Sequence, residues 1–141
     1  MKGIHIVTHI DKEASGPTYS VVRLCESLIK KGDFIILITL GSKNNKLDFH
    51  KAYQRLDFFY RLGVSPKMKK NIDKLVREKS IDYIHSHGLW EMPSIYASWI
   101  ARKNNIPLIV SPRGALSEKA MKTGLKMVKV IFCSLFQKKA L

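Results

Sequence analysis

IDYIHSHGLWEMPSIYASWIARKNNIPLIVS, residues 81–111, sets the reading of the rest of the chain. Ile81 to His85 has the β-branched and aromatic character of a strand. Pro93 to Asn104 reads as a helix, with proline in its first turn, where the missing N–H costs nothing. Pro107 to Ser111 is apolar again and reads as a second strand. Two strands joined by a helix of about a dozen residues fit a parallel crossover, since an antiparallel hairpin needs only a short loop.

The same alternation extends towards the N-terminus. Residues 2–8, inside KGIHIVTHI, read as a strand followed by the polar stretch DKEASG. Pro17 opens a helix with Ser15 or Gly16 as cap, and Val21, Val22, Leu24, Cys25, Leu28 and Ile29 recur at helical spacing until Gly32 ends it. Phe34 to Leu40 is apolar almost throughout, as a strand covered on both faces must be. Ser65-Pro66 starts another helix, with Met68, Ile72, Leu75 and Val76 facing inward. Residues 43–62 are the least legible; Leu56, Phe58, Phe59 and Leu62 suggest an irregular element or weak helix packing one aromatic edge. Together these elements predict an α/β fold, an open and mainly parallel sheet with helices on both faces.

Composition narrows the class. The chain has 141 residues, 45% of them hydrophobic, enough for one domain with a packed core or for part of a larger protein. The apolar run Phe34–Ile38 is too short to span a bilayer, and MKGIHIVTHIDK lacks the greasy core of a signal peptide, so a cytoplasmic location is expected. Cys25 and Cys133 have no metal or redox spacing and read as buried free thiols. The net charge is +14 and uneven: residues 1–64 hold ten Lys and Arg against six acids, residues 65–141 fifteen against five. Such a balance points to a polyanionic partner, nucleic acid or an acidic membrane surface, unless the lysines simply solvate helices.

In open parallel sheets ligands bind beyond the carboxyl ends of the strands, and three segments fall there. In THIDKEASGPTYS, Ser15-Gly16 lets backbone N–H groups approach a ligand, and the following helix, carrying Thr18, turns its positive end towards an anion. In IHSHGLWEMPS, His85 and His87 are two apart and share a strand face, which invites a metal reading. No later histidine and no nearby set of acids or cysteines completes a coordination shell, so no metal is expected. His87 suits a sugar hydroxyl instead, Trp90 offers a face for a sugar ring and Glu91 accepts hydroxyl protons; the alternative is that these side chains only pack. In VSPRGALSEKAM, Pro112 and Gly114 break the chain after Ser111 and leave Arg113 at the crevice, where its planar fork suits a phosphate or carboxylate.

HSHGLW, ARKNNIP and LIVSPRGAL, in this order, resemble the N-terminal half of family-four glycosyltransferases, as does SGPTYSVVRLCESLIKKG near the start. The resemblance covers most of the chain and is weakest across 43–62. It implies a GT-B enzyme of two Rossmann-like domains facing a cleft, with a nucleotide-sugar donor, no required metal or other cofactor, and a retaining transfer. Residues 1–141 would form one Rossmann-like domain on the acceptor side, ending before the donor-binding domain. The Ser15-Gly16-Thr18 loop would lie under donor phosphates or acceptor, with Trp90, Glu91 and Ser111 also facing substrate. His87 would line the cleft, and Arg113 falls where related subfamilies carry a histidine near the reacting sugar; these two are the expected catalytic residues. Two departures stand out. Lys119 occupies a place where the family often shows tryptophan, and the family's Glu-x7-Glu motif is missing, since no two of Glu13, Glu26, Glu78, Glu91 and Glu118 are eight apart.

Residues 117–139 form one more predicted helix. Met121, Leu125, Val128, Phe132 and Leu135 make an apolar stripe, and Lys119, Lys122, Lys126 and Lys129 a basic one beside it. Such a helix can lie on anionic lipid, which suits a cytoplasmic transferase working at the inner face of a membrane on a glycan or lipid-linked acceptor; the alternative is that its apolar stripe covers the sheet and only the lysines face lipid. Two rival readings stand beside this one. A basic α/β module could bind nucleic acid, although no nucleic-acid motif or interleaved aromatic platform is present. A non-catalytic remnant or subunit would need its missing half from a partner chain.

Overall fold

A computed structural model describes residues 1–10, 16–42, 44 and 46–114. Among the described residues five strands form one parallel sheet: β1 (Lys2–Val7), β2 (Phe34–Leu40), β3 (His50–Tyr53), β4 (Tyr83–His87) and β5 (Leu108–Ser111). Their spatial order is β3-β2-β1-β4-β5. The helices are α1 (Gly16–Lys30), α2 (Pro66–Lys79) and α3 (Met92–Asn104), with a short 3-10 turn at Asp57–Leu62. The α/β class read from sequence is the observed one. No helix among the described residues is long and apolar enough to cross a membrane.

Successive side chains of a strand point to opposite faces, and the core divides accordingly. Ile4 and Ile6 of β1, Ile36, Ile38 and Leu40 of β2 and Ile84 of β4 pack beneath Met68 and Ile72 of α2 and Ala97 and Ile100 of α3. The intervening residues Val7, Ile35, Leu37 and Tyr83 meet Val21 and Cys25 of α1 on the other side. Cover on both faces explains why FIILITL is so uniformly apolar. Each fully buried isoleucine contributes roughly 2–3 kcal/mol through removal from water. Cys25 is buried and free, as expected; Cys133 lies outside the described residues.

Two boundaries differ from the sequence reading. The strand expected at 81–85 is displaced to Tyr83–His87. Ser80 closes α2 in the left-handed conformation, and Ile81 joins the core under α2 instead of the ladder. Residues 43–62 hold a strand, β3, which pairs in parallel with β2 from Leu37↔His50 to Leu40↔Tyr53. Its signal was hidden because the inward residue is polar. Buried His50 accepts at Nδ1 from the Asn44 N–H at 3.0 Å, and its Nε2 lies 2.8 Å from Thr39 Oγ1. Of the residues expected to pack an aromatic edge, Phe58 is 88% exposed and Leu62 packs against Ile95, while the Phe59 side chain lies outside the described residues.

Candidate functional site

The chain lays β1, β2 and β3 outward in one direction, then returns to the other side of β1 for β4 and β5. Strand order therefore reverses between β1 and β4, and crossovers leaving on opposite faces open a crevice beyond those strand ends. A small pocket lies there, lined in part by Val7, Thr8, His87, Gly88, Glu91 and Ser94. Gly88, at φ 112°, makes the turn out of β4, and its N–H donates to the Ser111 carbonyl at 2.8 Å.

Beside this pocket the parallel register assembles a polar group that no single stretch of sequence displays. His5 of β1 stands opposite His85 of β4, Val7 opposite His87, and His87 opposite Ser111 of β5. His5 Nδ1 lies 3.0 Å from His87 Nε2, and His5 Nε2 lies 3.2 Å from the Tyr83 hydroxyl. Arg113 reaches back from the loop after β5, with one Nη 3.1 Å from His87 Nδ1 and the other donating to Ser20 Oγ of α1 at 2.8 Å. His85 stands alongside, its ring 3.9 Å from that of His87 and its Nε2 2.8 Å from Ser111 Oγ.

All three histidines favour the neutral form. Burial pushes His5 down to about 4, helped by His85 and Arg113. Burial pushes His87 down to about 2, with His85, His5 and Arg113 adding repulsion. His85 is lowered by burial and then by Arg113. Neutral imidazole carries one N–H and one lone pair, so one fixed donor settles the tautomers. Arg113 can only donate, which makes His87 Nδ1 an acceptor; Nε2–H of His87 then donates to His5 Nδ1, and Nε2–H of His5 donates to Tyr83.

His5, His85 and His87 each offer a ligand atom within 4.8 Å of the others, close enough to share one ion. Their surroundings do not fit that use. A ligating histidine normally gives its second N–H to a carboxylate or carbonyl, whereas the second nitrogen of His87 faces a guanidinium. An ion at this point would also face the charge of Arg113.

Two non-glycine residues near the crevice have left-handed backbones without closing a helix: Trp90 at φ 69° and Arg113 at φ 51°. Each conformation costs on the order of 1–2 kcal/mol, a strain that gathers where loops are shaped for ligands. Trp90, expected to stack on a sugar, is half-buried and packs in part against Ile95. Glu91 lines the pocket with His87. Ser111 holds His85. Gly16 begins α1 and Thr18 lies in its first turn, but the Thr18 side chain, Ser15 and Lys119, Lys122, Lys126 and Lys129 lie outside the described residues. The sequence reading missed His5, Tyr83 and Ser20. The usable signal was alternation in two strands at once, HIV and HSH, which a parallel register stacks side by side.

A parallel α/β sheet with helices on both faces and a strand-order reversal between β1 and β4 is a Rossmann-like arrangement. The model of Glycosyltransferase Family 4 matches residues 14–138, and the chain belongs to that family. Comparison with curated proteins gives no match.

Proposed function

We propose that this chain supplies the acceptor-side half of a GT-B transferase. That enzyme would move a sugar from a nucleotide-sugar donor to a glycan or lipid-linked acceptor in cell-envelope polysaccharide synthesis. The observation that carries the reading is a Family 4 domain whose switch-point crevice is bordered by His87, Glu91 and Arg113. The acceptor would lie against this crevice, with the donor delivered from a second Rossmann-like domain. Arg113 would stabilise anionic charge near the transferred sugar, a role that preorganised cationic donors fill well. The chemistry needs no metal on this reading, because guanidinium and backbone N–H groups can meet the phosphate charge.

The test is a transfer assay with the complete gene product, a panel of nucleotide sugars and a membrane extract as acceptor source. Label should enter a glycan or lipid fraction, and Arg113→Ala should lower incorporation at least tenfold, the scale of one lost charge-assisted contact. Incorporation that is absent with every donor, together with no NMR perturbation at Thr8, His87 or Glu91 by donors or saccharides, would overturn the reading.

Peripheral docking at the cytoplasmic face of an anionic membrane belongs to the same proposal. Its support is the exposed side of α2, where Lys67, Lys70, Lys74 and Arg77 recur at i, i+3, i+7 and i+10, opposite buried Met68, Ile72 and Val76.

A further inference from the structure

We infer that His87 is a positioning residue and takes no part in proton transfer: Tyr83, His5 and His87 form a one-way hydrogen-bond chain that fixes the Arg113 guanidinium at the crevice mouth, where it holds a phosphate or carboxylate of the bound substrate. The inference rests on the reading of the crevice as a substrate site and deepens it by naming an anionic substrate group. Three observations carry it.

First, both nitrogens of His87 are engaged, one by His5 at 3.0 Å and the other by Arg113 at 3.1 Å, and the ring is 4% exposed. A general base needs a lone pair facing the reacting proton, and here the lone pair faces a guanidinium. Second, the far end of the chain is anchored in the core. His5 is 1% exposed and Tyr83 8%, and the Tyr83 ring lies across Gly3, where any Cβ would collide with it. The chain therefore cannot drift, and its direction is imposed by a residue that only donates. Third, Arg113 is held by neutral partners. Arg23 pairs with Glu26, Lys74 with Glu78, and Arg77 and Lys103 with Asp73. Arg113 instead meets a hydroxyl and an imidazole, and no carboxylate pairs with it among the described residues. Those two bonds use two of its five donors. Among the described residues the charge is thus oriented without being neutralised, which suits an incoming anion.

The experiment uses side-chain 1H–15N NMR at pH 7 on the chain and three variants, with inorganic pyrophosphate as the anion probe. In the wild type His5 and His87 should both be neutral with the proton on Nε2. Arg113→Leu should introduce a population of His87 protonated on Nδ1, because the donor that excluded it is gone. Asparagine places its carbonyl oxygen near the position of Nδ1, so His87→Asn should keep the Arg113 guanidinium signals and their response to pyrophosphate. His87→Leu should weaken that response by about fivefold, the equivalent of one neutral hydrogen bond. A wild-type His87 protonated on Nδ1, or unchanged pyrophosphate affinity in His87→Leu, would overturn the inference. So would stoichiometric zinc binding that shifts all three histidines. The tautomers are read without any sugar, so a chain that lacks transferase activity still passes or fails this test on its own terms.

Discussion

Gly3 carries no side chain because the Tyr83 ring occupies that space. Gly3→Ala should force the ring aside, detach its hydroxyl from His5 and destabilise the fold by about 1–3 kcal/mol, the range for overpacking; urea unfolding measures it. The histidines give a pH signature of fixed sign. Their folded values lie below the ordinary 6.5, with His5 near 4 and His87 near 2, so the unfolded chain binds protons first. Stability is therefore fully present above pH 6.5 and falls as pH drops towards 4. The slope is on the order of 1.4 kcal/mol per pH unit for each buried histidine. His5→Asn should flatten the curve between pH 6 and 4, and an unchanged slope would show that His5 is not the buried neutral group described. Of this cluster, the shared face of His85 and His87 was legible from period-two alternation. His5 was not, because its place depends on the register of two strands some eighty residues apart.

Local chemistry fixes the element boundaries. Ser65 is fully buried before α2; its hydroxyl donates to the Gln54 carbonyl at 2.6 Å and accepts from the Met68 N–H at 3.4 Å. Ser65→Ala would leave that carbonyl and the first turn of α2 unsatisfied. A loss of about 1–3 kcal/mol is expected in thermal or urea unfolding. Cys25 of α1 is a buried hydrophobe whose thiol is pushed up to about 12 by burial and then by Glu26. Alkylation at pH 8, followed on the peptide that carries Cys25, should be negligible in the folded chain and rapid in urea. Fast labelling of the folded chain would contradict the packing of α1. Periodicity made α1 and α2 readable in advance, with a capping serine for α2, and an unbroken apolar run did the same for β2. β3 escaped because a strand of four residues with a buried histidine has neither length nor apolar contrast, and the partners of that histidine are Thr39 of β2 and Asn44 of the loop between the two strands.

Charge is the property that belongs to the molecule as a whole. The excess of cations falls mainly in residues 65–141, and α2 displays part of it as a stripe on its exposed face. Glu78 and Asp73 offset Lys74 and Arg77, but Lys67 and Lys70 have no acidic partner among the described residues. Long-range attraction to a polyanion and substrate binding at Arg113 would use different residues, so the two can be tested apart. Each cation near an anionic bilayer is worth about 1 kcal/mol, so Lys67→Gln with Lys70→Gln should lower affinity for phosphatidylglycerol vesicles roughly thirtyfold. Raising the salt to about 0.5 M should abolish most of the wild-type binding, since the Debye length then falls well below 10 Å. The pyrophosphate response of Arg113 should be unchanged in the same double variant. Vesicle binding that ignores both the substitutions and the salt would remove α2 as a docking face. Tight salt-dependent binding to random DNA, with none to the vesicles, would instead make the basic surface a nucleic-acid contact and leave the crevice chemistry standing alone.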